Sequence, residues 1–283
     1  MDATEWLGLR ATHNPTRYWL PVTPPISAGS AFLFGGCGLG AAVAALETTT
    51  GRPLVWATAQ YLSYAPVGAV MDLDVHVAVA GRRTTQARAV GHVGDEEILT
   101  VNAALGRRDF DLVEQWPTPP PVREPDRCPE REQAHGIESV GTRLEQRWAL
   151  APDGGEGPTG HGRGRVCVWA REPDGLDASA AALAILGDWV PMGLGTAAGG
   201  GISSNSLDNT LRVLEVRPTD WFLLEIEPAG IRHGFGHGQL RIWHPDGSLM
   251  AIASQSVIVR RRRPDGASRP PRRLVDKLRA DRT

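Results

Sequence analysis

One pattern occurs twice along this chain. Ala57-Thr58-Ala59-Gln60-Tyr61-Leu62-Ser63-Tyr64-Ala65-Pro66 lies over Asn209 to Pro218 when shifted by 152 residues, setting Thr58 on Thr210 and Pro66 on Pro218. A shift of 153 sets Arg88 on Arg241, Gly94 on Gly247 and Asn102 on Gln255. Each passage follows a short apolar helix and precedes three further strand candidates. Such a duplication implies two copies of one fold sharing a core, not an array of small repeats. Polar residues present in only one copy are therefore candidates for chemistry.

The alternation and turn residues predict strands at 17–22, 30–34, 54–64, 70–80, 83–92 and 96–105. Gly35-Gly36-Cys37-Gly38-Leu39-Gly40 runs into one apolar helix that Gly51-Arg52-Pro53 stops. The second copy opens with a strand at 165–171. Asp177-Ala178-Ser179 caps a helix over 180–187, and a glycine-rich stretch, 192–206, follows. Strands are expected at 207–217, 220–228, 233–244 and 249–260. The alternation Leu224-Glu225-Ile226-Glu227 suggests a sheet with one wet face. The class is α+β with a long antiparallel sheet.

Composition divides the chain into a first unit (1–115), a Pro-rich linker (116–135), a second unit (136–263) and a basic tail (264–283). Residues 152–164 read as an exposed loop. The net charge is -2, which gives no basic field for nucleic acid. From Arg260 onward there are ten basic and three acidic residues. That end reads as solvated sequence, or as an arginine-rich rim beside a phosphate-bearing ligand. Three dispersed cysteines form neither a disulfide framework nor a zinc pattern. With no signal peptide at the N-terminus and no apolar run near membrane-span length, the expectation is a cytoplasmic protein without membrane contact.

Several motifs admit two readings. Gly36-Cys37-Gly38-Leu39-Gly40-Ala41 fits a loose dinucleotide pattern, but strand 54–64 has no acid for a ribose. The alternatives are close helix packing, or helix-terminal N–H groups that polarise a carbonyl. His233-Gly234-Phe235-Gly236-His237 places two imidazoles on one strand face without a third ligand, so no metal site is indicated. Cys37 reads as a packed core residue or as a thiol at a helix start. Asp188, in Ile185-Leu186-Gly187-Asp188-Trp189-Val190-Pro191, is a carboxylate in an apolar setting that must be satisfied or protonated. It is either a capping residue or a catalytic one.

Leu207-Asp208-Asn209-Thr210 resembles the Leu-Asp-His-Ser/Thr stretch of the TesB-like type II acyl-CoA thioesterases. Ala253-Ser254-Gln255-Ser256 with Val259-Arg260 resembles that family's Ala-Ser-x-x-Gln ending. Phe34-Gly35-Gly36 resembles its Phe-Gly-Gly helix start, and Gly81 to Val90 one of its strands. The resemblance covers about 30–106 and 177–260. It implies a double hotdog: two helices, each wrapped by a long curved antiparallel sheet. It implies an acyl-CoA substrate, no cofactor, and a hydrolytic water oriented by Asp188, Thr210 and Gln255. The backbone of Gly36 and Cys37 would then bind the thioester oxygen. This sequence departs from the family in having Asn209 where a His is usual. A hotdog enoyl hydratase and a non-catalytic acyl-CoA binder are the alternatives, and a homo-oligomer is left open. Glu47, Thr58 and Asn102 are the first copy's counterparts of the proposed set, with one working site expected in the second copy and a structural role for Glu47.

Overall fold

The computed structural model describes residues 1–29, 31–133, 136–151 and 164–262. The tail 264–283 and nearly all of the loop expected at 152–164 lie outside the described residues, as does Ser30. The first half contains α1 (Ala3–Leu7), β1 (Arg10–Ala11), β2 (Arg17–Pro21), a small hairpin of β3 (Ser27–Ala28) and β4 (Phe32–Leu33), and α2 (Gly35–Thr50). Strands β5 (Leu54–Tyr61), β6 (Val70–Ala80), β7 (Thr84–Val93) and β8 (Glu96–Gly106) complete it. The second half contains α3 (Val140–Arg143), β9 (Glu145–Leu150), β10 (Val166–Arg171), α4 (Ala180–Leu186) and α5 (Val190–Ala197). It ends with β11 (Ile202–Val213), β12 (Phe222–Arg232), β13 (Phe235–Trp243) and β14 (Leu249–Arg261).

Among the described residues, twelve strands form one sheet in the order β1-β2-β6-β7-β8-β5-β11-β14-β13-β12-β10-β9. The order is palindromic. Each half contributes six antiparallel strands, and β5 and β11 join the halves with Thr58 opposite Thr210. The two copies of the repeated passage thus pair with each other, and the duplication noticed in the sequence is the seam of the sheet.

Helix α2 is apolar all round and buried from Gly36 to Leu46, as a helix enclosed by a sheet must be. Gly51, at φ 63°, ends it in the left-handed region and donates to the Glu47 carbonyl. Ser179 caps α4 by accepting from Ala182 N–H. The two helices pack antiparallel. Gly36 and Gly40 make this possible: a Cβ on Gly36 would lie 2.7 Å from the Ile185 carbonyl, and one on Gly40 3.0 Å from that of Ala181. The glycine run therefore serves helix packing, not a dinucleotide. The fold is the double hotdog.

Three features go beyond the sequence reading. First, the glycine-rich 192–206, to which no element was assigned, supplies most of α5 and the start of β11. Helix α5 lies against β13, where Cβ atoms on Gly236 and Gly238 would strike Leu194 at 2.9 Å and Val190 at 2.7 Å. The Gly/His alternation is a seat for this helix, and His233 (φ 53°) with Gly234 (φ 79°) forms the hairpin turn. Second, the 116–135 segment includes a strap over the outer face of the second half. Val122 and Cys128 pack with Trp169, Leu223 and Trp243, and Trp169 Nε1 donates to the Arg123 carbonyl at 2.8 Å. Third, that face is consequently not wet at Glu225, which is buried, pairs with Arg165 and accepts from Trp243 Nε1 at 2.9 Å. Contrary to the expectation of no apolar run near membrane-span length, the stretch Ala180–Ala197 is long and apolar enough to span a membrane, yet it is 72% buried and breaks between α4 and α5 at Gly187-Asp188-Trp189.

Candidate active site

The break between α4 and α5 delivers Asp188 to the first turn of α2. Its side chain is almost fully buried and meets three donors. Gly36 N–H donates to Oδ2 at 2.6 Å. Ser206 Oγ donates to Oδ1 at 3.2 Å, and Gln255 Nε2 donates to the same oxygen. Gln255 is itself pinned, because its Oε1 accepts from Val190 N–H at 3.2 Å and its Nε2 also donates to Ser206 Oγ at 3.1 Å. The carboxylate thus links both halves, with the N-terminal end of the α2 dipole favouring its negative charge.

Burial nevertheless wins. Loss of solvation raises the Asp188 pKa from 3.8 to about 7, against the opposing bonds from Gln255, Gly36 and Ser206. A carboxyl poised near neutrality exchanges protons readily at physiological pH. Cys37 takes the opposite character. Burial, with the neighbouring Asp188 charge, pushes its thiol well above the usual range, which makes it a packed core residue and not a thiolate.

Asp188 and Ser206 open onto a cavity of about 280 Å3 between the halves, which Tyr61, Phe34 and Trp189 also line. Tyr61 Oη and Asp188 Oδ2 converge on Gly35, lying 3.1 Å and 2.6 Å from where its Cβ would sit. Beside Tyr61 is Asn209, fully buried on β11. Its amide couples to the Tyr61 phenol, but neither side chain completes a hydrogen bond of normal geometry among the described residues. Two polar groups are therefore held unsatisfied next to the carboxylate, a costly arrangement unless water or a ligand completes it. Among the described residues no group of three His, Cys, Asp or Glu is placed to hold a metal ion.

The structure brings together Asp188 and Gln255 but not Thr210. A bulge between Ser206 and Asp208 shifts the β11–β14 register. Asn209 then stands opposite Gln255 and Thr210 opposite Ser254, so Thr210 faces away from Asp188. Its Oγ1 instead hydrogen-bonds Thr58 Oγ1 at 3.0 Å across the seam. Ser206, before the bulge, occupies the place expected for Thr210. A one-residue irregularity exchanges the faces of a strand, and no turn or proline in the sequence marks it. Gly36 spends its N–H on Asp188, and Cys37 does not line the cavity, so neither is placed to bind a substrate oxygen. Ser206 and Tyr61 are the site residues that the sequence reading passed over, and Asn209 entered it only as a departure from the family's His.

Among the described residues, the first half lacks an equivalent constellation. Glu47 Oε1 accepts from Leu54 N–H at 2.7 Å, Asn102 is exposed, and Thr58 is engaged with Thr210. With Thr58 on Thr210, the inner position matching Gln255 is Ala103, which pairs with Ala57 as Gln255 pairs with Asn209.

Fold and site together define a double-hotdog protein with one buried, hydrogen-bonded carboxylate at the junction of its halves. Residues 22–106 match the acyl-CoA thioesterase N-terminal domain, and residues 121–259 match the acyl-CoA thioesterase C-terminal domain. The chain belongs to the acyl-CoA thioesterase family and is a thioester hydrolase. Among solved structures it is similar to a protein of Novosphingobium aromaticivorans carrying a provisional thioesterase assignment, with 33% identity, a TM-score of 0.80, and coverage of 88% of this chain and 97% of that one. It is also similar in fold to the acyl-CoA thioesterase II TesB2 of Mycobacterium marinum, at 19% identity and a TM-score of 0.75, covering 94% and 100% of the two chains. A hotdog protein of Alicyclobacillus acidocaldarius gives 17% identity and a TM-score of 0.80, over 91% and 97%. No curated protein matches the chain in sequence.

Proposed function

We propose that the chain hydrolyses acyl-CoA thioesters at the junction cavity, with Asp188 as the general base. The supporting observation is a carboxyl group on the cavity wall, held by three donors and buried until its pKa reaches about 7. In its ionised form Asp188 takes a proton from a water as that water attacks the thioester carbon. The tetrahedral intermediate then expels the coenzyme A thiolate, which takes up the proton. A positioned base of this kind contributes roughly 10²–10⁴-fold.

Gln255 and Ser206 act as positioning residues, since both hold Oδ1 of the base and each is fixed by a further bond. Displacement by near 1 Å can cost on the order of 100-fold. The Tyr61 hydroxyl, on the cavity wall beside Asp188 and backed by the buried Asn209 amide, is the donor available to the water or to the developing oxyanion. The thiol-release assay on a panel of acyl-CoAs tests the reading, with Asp188→Asn as control. Turnover by the wild type and a loss of at least about 100-fold in the folded variant is expected. Near-wild-type turnover by Asp188→Asn would refute the assignment of the base.

A further inference from the structure

The reading of a thioesterase leaves the acyl group unnamed, and the cavity walls speak to it. Two of the five phenylalanines and two of the three tyrosines of the chain line this one space: Phe32, Phe34, Tyr61 and Tyr64, with Trp189 closing the set. They stand as two pairs. Phe32 and Tyr64 meet edge to face at 4.6 Å and 61°, and Phe34 and Trp189 are tilted at 5.9 Å and 48°. Rings so arranged present both faces and edges to whatever enters, which is how aromatic groups recognise one another.

The cavity is also short. On the α2–β8 side, a Cβ on Gly38 would lie 2.8 Å from Leu99 Cδ2, so helix and strand are already in contact. Behind Leu99 the packing continues, because a Cβ on Gly91 would meet Met71 Sδ at 3.0 Å and Leu73 Cδ2 at 3.3 Å. Met71, Leu73 and Leu99 are each at most 1% exposed. On that side the packing gives a long chain no path into the core. An apolar space of about 150 Å3 accommodates a benzene ring. The cavity of about 280 Å3 therefore takes an aryl ring and its link to the thioester. A long alkyl chain would leave most of its methylenes in water and gain nothing from them.

We propose that the acyl group this site selects is a compact aromatic one, of benzoyl to phenylacetyl size, and not a long fatty chain. The proposal rests on the thioesterase reading above. Its test uses the full chain and compares kcat/KM by thiol release for phenylacetyl-CoA, octanoyl-CoA (equal in carbon count) and palmitoyl-CoA. Phenylacetyl-CoA should exceed octanoyl-CoA by about 10-fold or more, the scale on which a fitted apolar pocket discriminates, and palmitoyl-CoA should be slower still. Octanoyl- or palmitoyl-CoA equalling or surpassing phenylacetyl-CoA would overturn the proposal while leaving the thioesterase reading intact. No turnover of any of the three would overturn both. Leu99→Ala opens the far wall and should shift the octanoyl-to-phenylacetyl ratio toward octanoyl by about 10-fold. An unchanged ratio would contradict the placement of that wall. If this variant does not fold, Ile98→Ala, at the adjoining lining residue, tests the same wall.

Discussion

Replacing Asp188 with Asn should make the protein inactive and, at neutral pH and above, more stable. The Asp188 carboxyl has a pKa of about 7 in the fold against 3.8 for the free group. Its protonated form is therefore the one that folding favours. The sign follows: stability from this group is fully present below pH 3.8 and is lost as pH rises through 7. A shift of one pKa unit corresponds to about 1.4 kcal/mol. Between pH 5 and pH 8 the wild type thus loses roughly 3 kcal/mol that Asp188→Asn does not. Asn brings a fault of its own, since its NH2 must face a donor from Gln255, Ser206 or Gly36. That fault does not titrate, so it cancels when the stability difference between the two proteins is compared at the two pH values. For a chain of this size 1 kcal/mol moves Tm by roughly 2–4 °C. The Tm difference, variant minus wild type, should then rise by on the order of 6 °C or more from pH 5 to pH 8. Thermal or denaturant melts of both proteins at the two pH values measure it. A difference that stays flat, or that falls with pH, would refute the claim that a strained, buried carboxylate is held here.

Other expectations follow from the same geometry. Ser206→Ala should lower kcat by about 10-fold or more, whereas Thr210→Val, on the other sheet face, should alter kcat by less than about threefold; steady-state kinetics of the pair tests the corrected assignment. Gln255→Leu should reduce kcat more than it changes KM and should raise the apparent pKa of the pH–rate profile, because it removes a donor that favours the ionised carboxylate. Glu47→Gln should retain wild-type kcat, since Glu47 accepts from Leu54 N–H and does not line the junction cavity; a loss comparable to that of Asp188→Asn in the folded protein would point to a second site.

How much of this could be read from the amino-acid order depends on the kind of signal. Strand β6 falls where alternation put it, and Ser179 caps the helix that follows it, because period and capping are local properties. The duplication was equally legible, but that its two copies pair with each other at Thr58 and Thr210 emerges only in the structure. Asp188 stood out because a carboxylate in Leu186-Gly187-Asp188-Trp189-Val190 must be satisfied or protonated, although a capping role fitted the sequence equally well. That Ser206 and not the expected Thr210 meets Asp188 is decided by a bulge at Leu207, a tertiary feature that leaves no local mark and inverts which residues face the helix. The strap over Trp169, Leu223 and Trp243 was hidden for a related reason. Its proline-rich composition is that of a linker, and only the cluster of Trp169, Leu223 and Trp243 shows that it has apolar surface to cover. Tyr61 and Asn209 could have been suspected. The seam strands were already singled out, and a buried amide beside a buried phenol is unusual.

The central claim is that hydrolysis depends on one carboxylate titrating near neutrality. The pH dependence of kcat/KM for a well-turned-over acyl-CoA measures this most directly. Asp188 works as a base only when ionised, so kcat/KM should fall about 10-fold per pH unit below an inflection near pH 7 and level off above it. A profile that is flat from pH 5 to pH 8, or one inflecting at an ordinary carboxylate value, would contradict the account.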